Sequence, residues 1–288
     1  MAHGAACRPL SCAINGDVFV RPRGSDPLLR LVQTRRSLCP ARKQVAVTRC
    51  SLSGTKELVL KSFHERRALK IISGLLNFDK DNVASVIIAA EKGGATLVDI
   101  ACDPDIVKLA MNLTSLPVCV SSVEPPEFLA AVEAGAVMVE IGNYDSFYEM
   151  GKRFSSEQIL SLTQQTRKIL PSITLSVTVP HTLTIPDQVK LAELLEQEGV
   201  DIIQTEGGKY RNPSAPGVIG LIEKATPTLA AAYSISRAVK IPVMCSSGLS
   251  TVTAPMALAA GAAGVGIGSF VNKLNDVVAM IFEVKSLS

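Results

Sequence analysis

Charged side chains interrupt several short apolar runs at positions where a strand would turn them to one face. Lys70, Asp99 and Glu140 each stand between two apolar neighbours in such a run. Successive side chains of a strand point to opposite faces, so these three residues would lie opposite their apolar neighbours. An ammonium group and two carboxylates can anchor a substrate charge, shuttle protons or, as the free amine, attack a carbonyl. The alternative is a structural ion-pair network, because buried charges cost several kcal/mol each unless they are paired.

Further polar residues follow the same alternation or end the apolar runs. The alternation turns the following residues to the same face as the three charges: Cys119, Ser121, Ser176, Thr178 and Gln204. Glu206 is a fourth catalytic candidate, and Asp103 is another carboxylate near the end of a run. His181 follows a run directly and is a candidate ligand or acid-base residue. No second histidine is near it in the sequence, so a zinc site is not predicted.

Small residues end the last two apolar runs and predict an anion-binding corner. The predicted phosphate-binding residues are Ser246, Ser247, Gly248, Gly266, Gly268 and Ser269. Glycines allow the backbone to approach an anion closely, and serines add hydroxyl donors. The alternative is tight packing of a glycine-rich strand. The run GVGIGS follows no early strand of a βαβ unit, so a dinucleotide-binding fingerprint is not predicted.

The segment after Glu206 carries two cations between glycines. Lys209 and Arg211 lie in EGGKYRNPSAPG, and this composition predicts a mobile lid that brings positive charge to an anionic ligand. An ordinary surface loop accounts for the same residues equally well.

The elements that must position these residues are short strands alternating with helices. The predicted strands are Leu69–Gly74, Thr96–Ala101, Pro117–Ser122, Met138–Gly142, Thr174–Val179, Asp201–Thr205, Pro242–Ser247 and Gly264–Ser269. The segments with helical spacing between them include 81–92, 125–133, 156–169 and 186–198. Such alternation implies right-handed crossovers and a parallel sheet. Eight strands with none to spare predict an α/β fold, a single (β/α)₈ TIM barrel, with an open doubly wound sheet as the alternative.

Charge divides the chain of 288 residues into a leader and a body. Residues 1–50 hold nine Arg or Lys and two Asp, a net charge of +7, and the whole chain has +3, so the remainder has −4. The Arg-rich, acid-poor composition predicts a disordered organelle transit peptide over residues 1–55, with the chloroplast preferred over the mitochondrion, followed by the barrel domain over 56–288. A basic arm that binds nucleic acid or membrane is the alternative reading of the leader. The acidic body predicts no nucleic-acid partner, and no apolar run has the roughly 20 residues of a membrane-spanning helix.

Several segments together resemble the hypothetical chloroplast open reading frame twenty-three family. They are LKIISGLLNFDKDNV, ATLVDIACDPDIV, LPVCVSSVEP, EIGNYDSFY, QTEGGKY and CSSGLS with GVGIGS. The resemblance covers about residues 56–288 and implies a barrel related to phosphate-binding barrels and residence in the plastid. It implies no activity and carries over no catalytic residues. The SSG and GIGS segments also look like the phosphate loops of ribulose-phosphate-binding barrels, a local likeness.

These observations predict an enzyme of the chloroplast stroma that acts on a small phosphorylated metabolite by lyase, isomerase or aldol-type chemistry. The alternative is a non-catalytic barrel that senses such a metabolite and regulates a plastid protein partner. The sequence does not identify a cofactor: a flavin mononucleotide held by its phosphate is compatible with the corner, but no flavin-specific pattern is present. A homo-oligomer is compatible with the barrel, and the sequence identifies no interface.

Overall fold

Eight parallel strands close into a barrel in the computed structural model, which describes residues 52–208 and 213–288. Neighbouring strands pair in sequence order, and the last strand pairs with the first. The strands are β1 (Ala68–Ile72), β2 (Leu97–Ala101), β3 (Val118–Ser122), β4 (Met138–Ile141), β5 (Thr174–Val179), β6 (Ile202–Thr205), β7 (Val243–Ser246) and β8 (Gly264–Ile267). The predicted TIM barrel is therefore confirmed, and the open sheet is excluded.

Helices follow the strands and surround the ring. They are α1 (Leu52–His64), α2 (Lys80–Gly93), α3 (Pro104–Leu113), α4 (Glu127–Ala134), α5 (Asp145–Glu149), α6 (Ser156–Ile169), α7 (Ile185–Gln197), α8 (Gly217–Ile235), α9 (Ala254–Ala260), α10 (Ser269–Asn272) and α11 (Val277–Lys285). The four predicted helical segments agree with α2, α4, α6 and α7 to within two residues at each end. Local signals explain these ends: Ser155 and Gln158 form a capping box on α6, and Gly94 ends α2 in the left-handed conformation.

Four of the eight predicted strands, β1, β4, β7 and β8, run too far at their C-terminal ends. At Gly74 and Ser247 the backbone has left the extended conformation. Gly74 has φ +120° and Ser247 has φ +80°, so neither continues its strand. The prediction that the eighth strand reaches Ser269 is wrong. Gly268, with φ −117° and ψ −88°, ends the extended backbone, and Ser269 begins α10.

Two separate apolar clusters build the core. The larger cluster lies between the barrel and its helices and contains the outward-facing strand residues, such as Val98 and Ile100. The smaller cluster fills the N-terminal end of the lumen, where Val59 and Phe63 of α1 pack on the following strand residues: Ala68, Leu97, Cys119, Met138, Ile202 and Met244. Apolar side chains therefore plug this end of the barrel, and the lumen is polar only toward the C-terminal ends of the strands.

An ion pair also holds α1 against the barrel. Lys56 Nζ lies 2.5 Å from Asp201 Oδ1, and Arg167 contacts the other oxygen of the same carboxylate at 2.8 Å. None of the helices in the described ranges has the length and apolar composition needed to cross a bilayer.

Two expectations concern residues outside the described ranges. The leader up to residue 51 is one, and the lid cations Lys209 and Arg211 are the other. Since α1 begins at Leu52, the last four residues assigned to the leader are helical, and the boundary between leader and barrel stays a prediction.

Candidate active site

A connected set of buried polar side chains, the lumen network, lies above the apolar plug. Its members are Lys70, Asp99, Ser121, Glu140 and Gln204, each at most 3% exposed. Lys70 Nζ lies 2.6 Å from Glu140 Oε2 and 3.9 Å from Asp99 Oδ2. Ser121 Oγ donates to Asp99 Oδ1 at 2.7 Å, and Gln204 Nε2 donates to Glu140 Oε1 at 2.6 Å. Strand alternation thus predicted correctly which polar residues share the lumen.

Thr178 and Gly142 border the lumen network. Gln204 Nε2 also donates to Thr178 Oγ1 at 3.1 Å. Thr178 fits because residue 142 is glycine: a Cβ there would lie 2.2 Å from Thr178 Oγ1. Ser176, which the alternation also turned inward, is buried, and its hydroxyl has no hydrogen-bond partner among the described residues.

Opposing influences set the charge of Lys70. Burial alone would lower the pKa of the ammonium group, but the Glu140 and Asp99 carboxylates raise it above its ordinary value. Lys70 therefore keeps its proton at neutral pH. A nucleophilic amine must be unprotonated, so the geometry favours a fixed positive charge over a carbonyl-attacking lysine.

Asp99 has the opposite property, a charge that changes near neutral pH. Burial, chiefly, raises the pKa of its carboxyl group to about 7; Lys70 lowers the pKa and Glu140 raises it further. A carboxyl group with this pKa can both donate and accept a proton at neutral pH. Asn143, which follows β4 with φ +66°, places its Nδ2 3.4 Å from Asp99 Oδ2.

A cleft of about 340 Å³ opens at the C-terminal ends of the first strands and reaches Ser121. Its apolar wall consists of Leu75, Leu76, Phe78, Val123 and Phe147. Because Ser121 lines the cleft and donates to Asp99, Asp99 is one hydrogen bond away from the open space. Asp103 also lines the cleft, but its carboxylate accepts the N–H groups of Asp105 and Ile106 and so caps α3. This helix-capping role accounts for Asp103 without catalysis.

A second polar group, the rim cluster, consists of Tyr148, His181 and Glu206. Glu206 Oε1 accepts hydrogen bonds from the Tyr148 hydroxyl at 2.5 Å and from the His181 backbone N–H at 3.0 Å. The same oxygen lies 2.6 Å from His181 Nδ1. The Tyr148 and His181 rings meet edge to face with centroids 4.9 Å apart. Three successive strand-to-helix connections, after β4, β5 and β6, thus meet at one carboxylate.

The surroundings of His181 raise the pKa of its imidazole above the value of a histidine in water. The hydrogen bond to Glu206 is the main cause that raises the pKa of His181, and partial burial lowers it by less. The side chain is 28% exposed, so the ring exchanges protons with solvent more easily than the lumen network.

Sequence reasoning missed two residues of this region, Tyr148 and Asn143. Both lie in the connection after β4, and Tyr148 belongs to the five-residue α5, which has no predicted counterpart. The available signal was position, since residues just after a barrel strand at its C-terminal end line the mouth where active sites form.

The predicted phosphate corner divides into a strand part and a turn part. Ser246 and Gly266 are register partners on β7 and β8, and Ser246 Oγ donates to the Gly266 carbonyl oxygen at 3.1 Å. A Cβ on Gly266 would lie 2.5 Å from Ser246 Oγ, so the serine side chain occupies the space that the glycine leaves open. The hydroxyl proton of Ser246 is therefore engaged within the protein.

The turn part consists of Ser247 and Gly248 after β7, with Gly268 and Ser269 after β8. Ser247 and Gly248 have φ +80° and +71°, and a Cβ on Gly248 would lie 2.5 Å from the Lys224 carbonyl oxygen. Thr228 of α8 donates to the Ser246 carbonyl at 2.5 Å and holds the start of this turn. Positive φ at a non-glycine residue is strained, and such strain concentrates at functional sites. Phosphate binding at these residues stays a prediction.

Comparison with known proteins finds one family over almost the whole described chain. The family described as "Protein of unknown function (DUF561)" matches residues 54–288. A protein of Porphyra purpurea, described as "Uncharacterized protein ycf23", is 39% identical over 78% of this chain and 85% of its own length. One of the same description from Cyanophora paradoxa is 41% identical over 78% and 92%. These matches confirm the family resemblance read from the sequence.

Solved structures with the same fold are distant in sequence. A putative phosphonomutase from Burkholderia cenocepacia J2315 has a TM-score of 0.56 and 14% identity over 81% of this chain and 99% of its own. The (S)-3-O-geranylgeranylglyceryl phosphate synthase from Thermoplasma acidophilum, solved with its substrate sn-glycerol-1-phosphate, has a TM-score of 0.53 and 13% identity over 81% and 96%. At this identity the likeness shows the fold alone.

Proposed function

The chain belongs to the family described as "Protein of unknown function (DUF561)", and we propose that it is a plastid enzyme acting on a small phosphorylated metabolite. The proposed chemistry is of the lyase, isomerase or aldol type. Many such reactions transfer protons next to a carbonyl group, where a fixed charge stabilises developing negative charge and a group that titrates near neutral pH transfers the proton.

The algal relatives support residence in the plastid, because they are encoded in plastid genomes. The proposal includes two further claims. The protein lies in the stroma, and a leader over residues 1–55 delivers it there and is cleaved.

The observation that carries the enzymatic proposal is the placement of buried charge under an open cleft. Barrel lumens are normally filled with branched apolar side chains, and active sites lie at the C-terminal ends of the strands. Here the apolar filling stops at the plug, and the upper lumen contains Lys70, Glu140 and Asp99. Keeping two carboxylates and an ammonium group without water costs several kcal/mol that a purely structural core avoids. In the proposed site Lys70 stabilises negative charge and Asp99 transfers a proton.

The turns after β7 and β8 are the proposed phosphate site. Barrel enzymes often hold phosphate with backbone groups of these two connections. The strained Ser247 and the glycine-only position of Gly248 support this assignment, with Gly268 and Ser269 on the adjoining strand end. Ser246 and Gly266 would contribute by shaping the corner, since the Ser246 hydroxyl donates to Gly266.

A charge placed at Ser247 tests the proposed phosphate site. Ser247→Asp is compared with Ser247→Asn, because both new side chains tolerate the left-handed backbone and only the former is charged. Binding of inorganic phosphate, dihydroxyacetone phosphate, ribulose 5-phosphate and fructose 6-phosphate is measured by thermal shift and calorimetry. We expect at least one sugar phosphate to bind to the wild type, and Ser247→Asp to weaken it at least about tenfold through repulsion. Ser247→Asn retains binding.

Ser172→Asp provides the control at the opposite end of the barrel, since Ser172 is exposed just before β5. Equal loss of binding in Ser172→Asp, or unchanged binding in Ser247→Asp, would contradict the phosphate site. Conversion of a bound compound, followed by ³¹P NMR, distinguishes the enzyme from the metabolite sensor. Binding without any conversion by the wild type across a broad panel favours the sensor.

A further inference from the structure

The rim cluster has the geometry of an oriented histidine base. Glu206 Oε1 lies 2.6 Å from His181 Nδ1, and the carboxylate is 6% exposed. A buried carboxylate at this distance holds the proton of the neutral imidazole on Nδ1, because an unprotonated Nδ1 would face a negative oxygen. The lone pair of the neutral ring then lies on Nε2.

The imidazole ring packs against a position where only glycine fits. A Cβ on Gly208 would lie 2.5 Å from His181 Nε2, and Gly208 has φ +69°. The same Cβ would lie 2.7 Å from Cδ2 and 2.9 Å from Cε1, so residue 208 packs against the face of the ring. Glycine at this position leaves room for the imidazole, whose side chain is 28% exposed.

The adjoining glycine connects the rim cluster to the predicted phosphate turn. A Cβ on Gly207 would lie 3.7 Å from the carbonyl oxygen of Ser247, so the segment Glu206–Gly208 borders both His181 and the turn after β7. A phosphate held at that turn would therefore lie next to the segment that packs against His181.

We propose that His181 is a catalytic base and acid, positioned by Glu206 and Tyr148, that moves a proton on a carbon next to the carbonyl of a phosphorylated ketone or aldehyde. This inference rests on the proposed function. His181 Nε2 takes the proton, and the electron pair of the C–H bond forms the C=C bond of an enolate while the carbonyl π pair moves onto oxygen. When the enolate returns to the ketone, the imidazolium gives a proton back to carbon, and in D₂O the returned nucleus is deuterium.

Among the residues that the structure describes, the charged and titratable groups around His181 belong to three elements. Glu206 follows β6, Tyr148 and Asp145 belong to α5, and Arg153 lies between α5 and α6. Glu206 is the partner in direct contact, and its negative charge stabilises the imidazolium formed when Nε2 takes the proton. A pH profile that depends on residue 206 would therefore report the proposed pair.

Deuterium incorporation measured by NMR in D₂O tests the proposal directly. The probes are dihydroxyacetone phosphate, ribulose 5-phosphate and fructose 6-phosphate, with unphosphorylated dihydroxyacetone for comparison. We expect the wild type to exchange at least one phosphorylated probe faster than buffer alone. His181→Gln lowers that rate about 10²-fold or more, the scale of general acid-base catalysis, while probe binding is retained.

Glu206→Gln tests whether Glu206 positions and polarises His181 or only supports the local structure. The amide keeps the size of the side chain but removes the negative charge, so the pH dependence of exchange and the His181 titration observed by NMR both move to lower pH. His64→Gln is the matched control, because His64 ends α1 at the plugged end of the barrel. This control leaves exchange and its pH profile unchanged.

Each other outcome overturns a specific part of the proposal. Exchange that persists in His181→Gln, or wild-type protein that binds a probe but does not exchange it, rejects the base assigned to His181 and leaves the proposed metabolite site standing. An unshifted pH profile in Glu206→Gln rejects the pair. If no probe binds to the wild type, the inference and the proposed phosphorylated ligand class both fail.

Discussion

The lumen network and the rim cluster contain the same kind of pair in different surroundings. In each, a basic nitrogen lies 2.6 Å from a glutamate oxygen: Lys70 with Glu140, and His181 with Glu206. Lys70 is fully buried between two carboxylates, and its pKa is raised, so its charge is fixed at neutral pH. His181 is partly exposed and starts from a pKa near neutrality, so its charge can change. The two pairs have the same contact distance, so the difference comes from burial and from the type of nitrogen. Lys70 keeps a fixed charge, whereas His181 can gain and lose a proton.

Removing the anchor should produce the largest loss of stability. Lys70→Met leaves Glu140 buried without its cation, and we expect the free energy of unfolding to fall by about 3–5 kcal/mol. The double variant Lys70→Met/Glu140→Leu removes both charges and should recover at least half of that loss. Chemical denaturation measures both variants. A loss under about 1 kcal/mol for Lys70→Met would show that the network is far more hydrated than its burial indicates.

The titration of Asp99 should appear as a pH-dependent stability difference. The pKa of its carboxyl is about 7 in the folded chain and about 3.9 in the unfolded chain, so the folded state binds the extra proton between these values. This contribution to stability is present below pH 4 and is lost as the pH rises toward 7. We expect the stability of the wild type relative to Asp99→Asn to fall over that window, on the order of 4 kcal/mol, because one pKa unit corresponds to about 1.4 kcal/mol.

Denaturation at pH 3.0, 3.5, 4.5, 5.5, 6.5 and 7.5 measures this difference. Glu91, whose pKa is lowered by hydrogen bonds from Thr114 and Ser115, provides a control of opposite sign. The stability of the wild type relative to Glu91→Gln should rise with pH through the acidic range. A flat difference for Asp99→Asn would contradict the raised pKa.

A glycine pair isolates the steric requirement of the rim cluster. Gly208 and Gly199 both have positive φ, at +69° and +77°, but a Cβ on Gly199 would meet nothing within 4 Å. Gly199→Ala should therefore cost only the backbone strain, about 1 kcal/mol. Gly208→Ala should cost about 1 kcal/mol more and shift the NMR signals of His181, because the methyl group displaces the imidazole. Equal costs and an unshifted His181 would show that the ring does not depend on residue 208.

The smallest stability change should come from the residue proposed to do the chemistry. His181→Gln removes a partly exposed ring, and we expect the free energy of unfolding to change by no more than about 1 kcal/mol. Thermal and chemical denaturation measure this beside the deuterium exchange assay. A loss as large as that of Lys70→Met would mean that the rim cluster is a structural element and that the contrast between the two regions is wrong.

The local pattern of apolar and polar residues was sufficient to predict the barrel and the charged side chains that point into its lumen. Gly and Pro punctuation marked eight apolar runs, and period-two alternation turned Lys70, Asp99 and Glu140 inward because their neighbours had to meet the helices. The errors lie at strand ends, as at Ser269, which begins a helix. A change of one or two dihedral angles is enough to end a strand there, and the side-chain pattern does not indicate it.

The sequence by itself determined the closed ring of strands and the composition of its lumen, since both follow from the spacing of apolar and polar residues along short segments. Only the tertiary structure decided which charges became partners. Tyr148, His181 and Glu206 lie on three separate connections, and 58 positions in the sequence separate Tyr148 from Glu206, which accepts the hydrogen bond of its hydroxyl group. The closed barrel brings the ends of consecutive parallel strands to one rim, and the distances there depend on register and loop conformation, which local residue spacing does not encode.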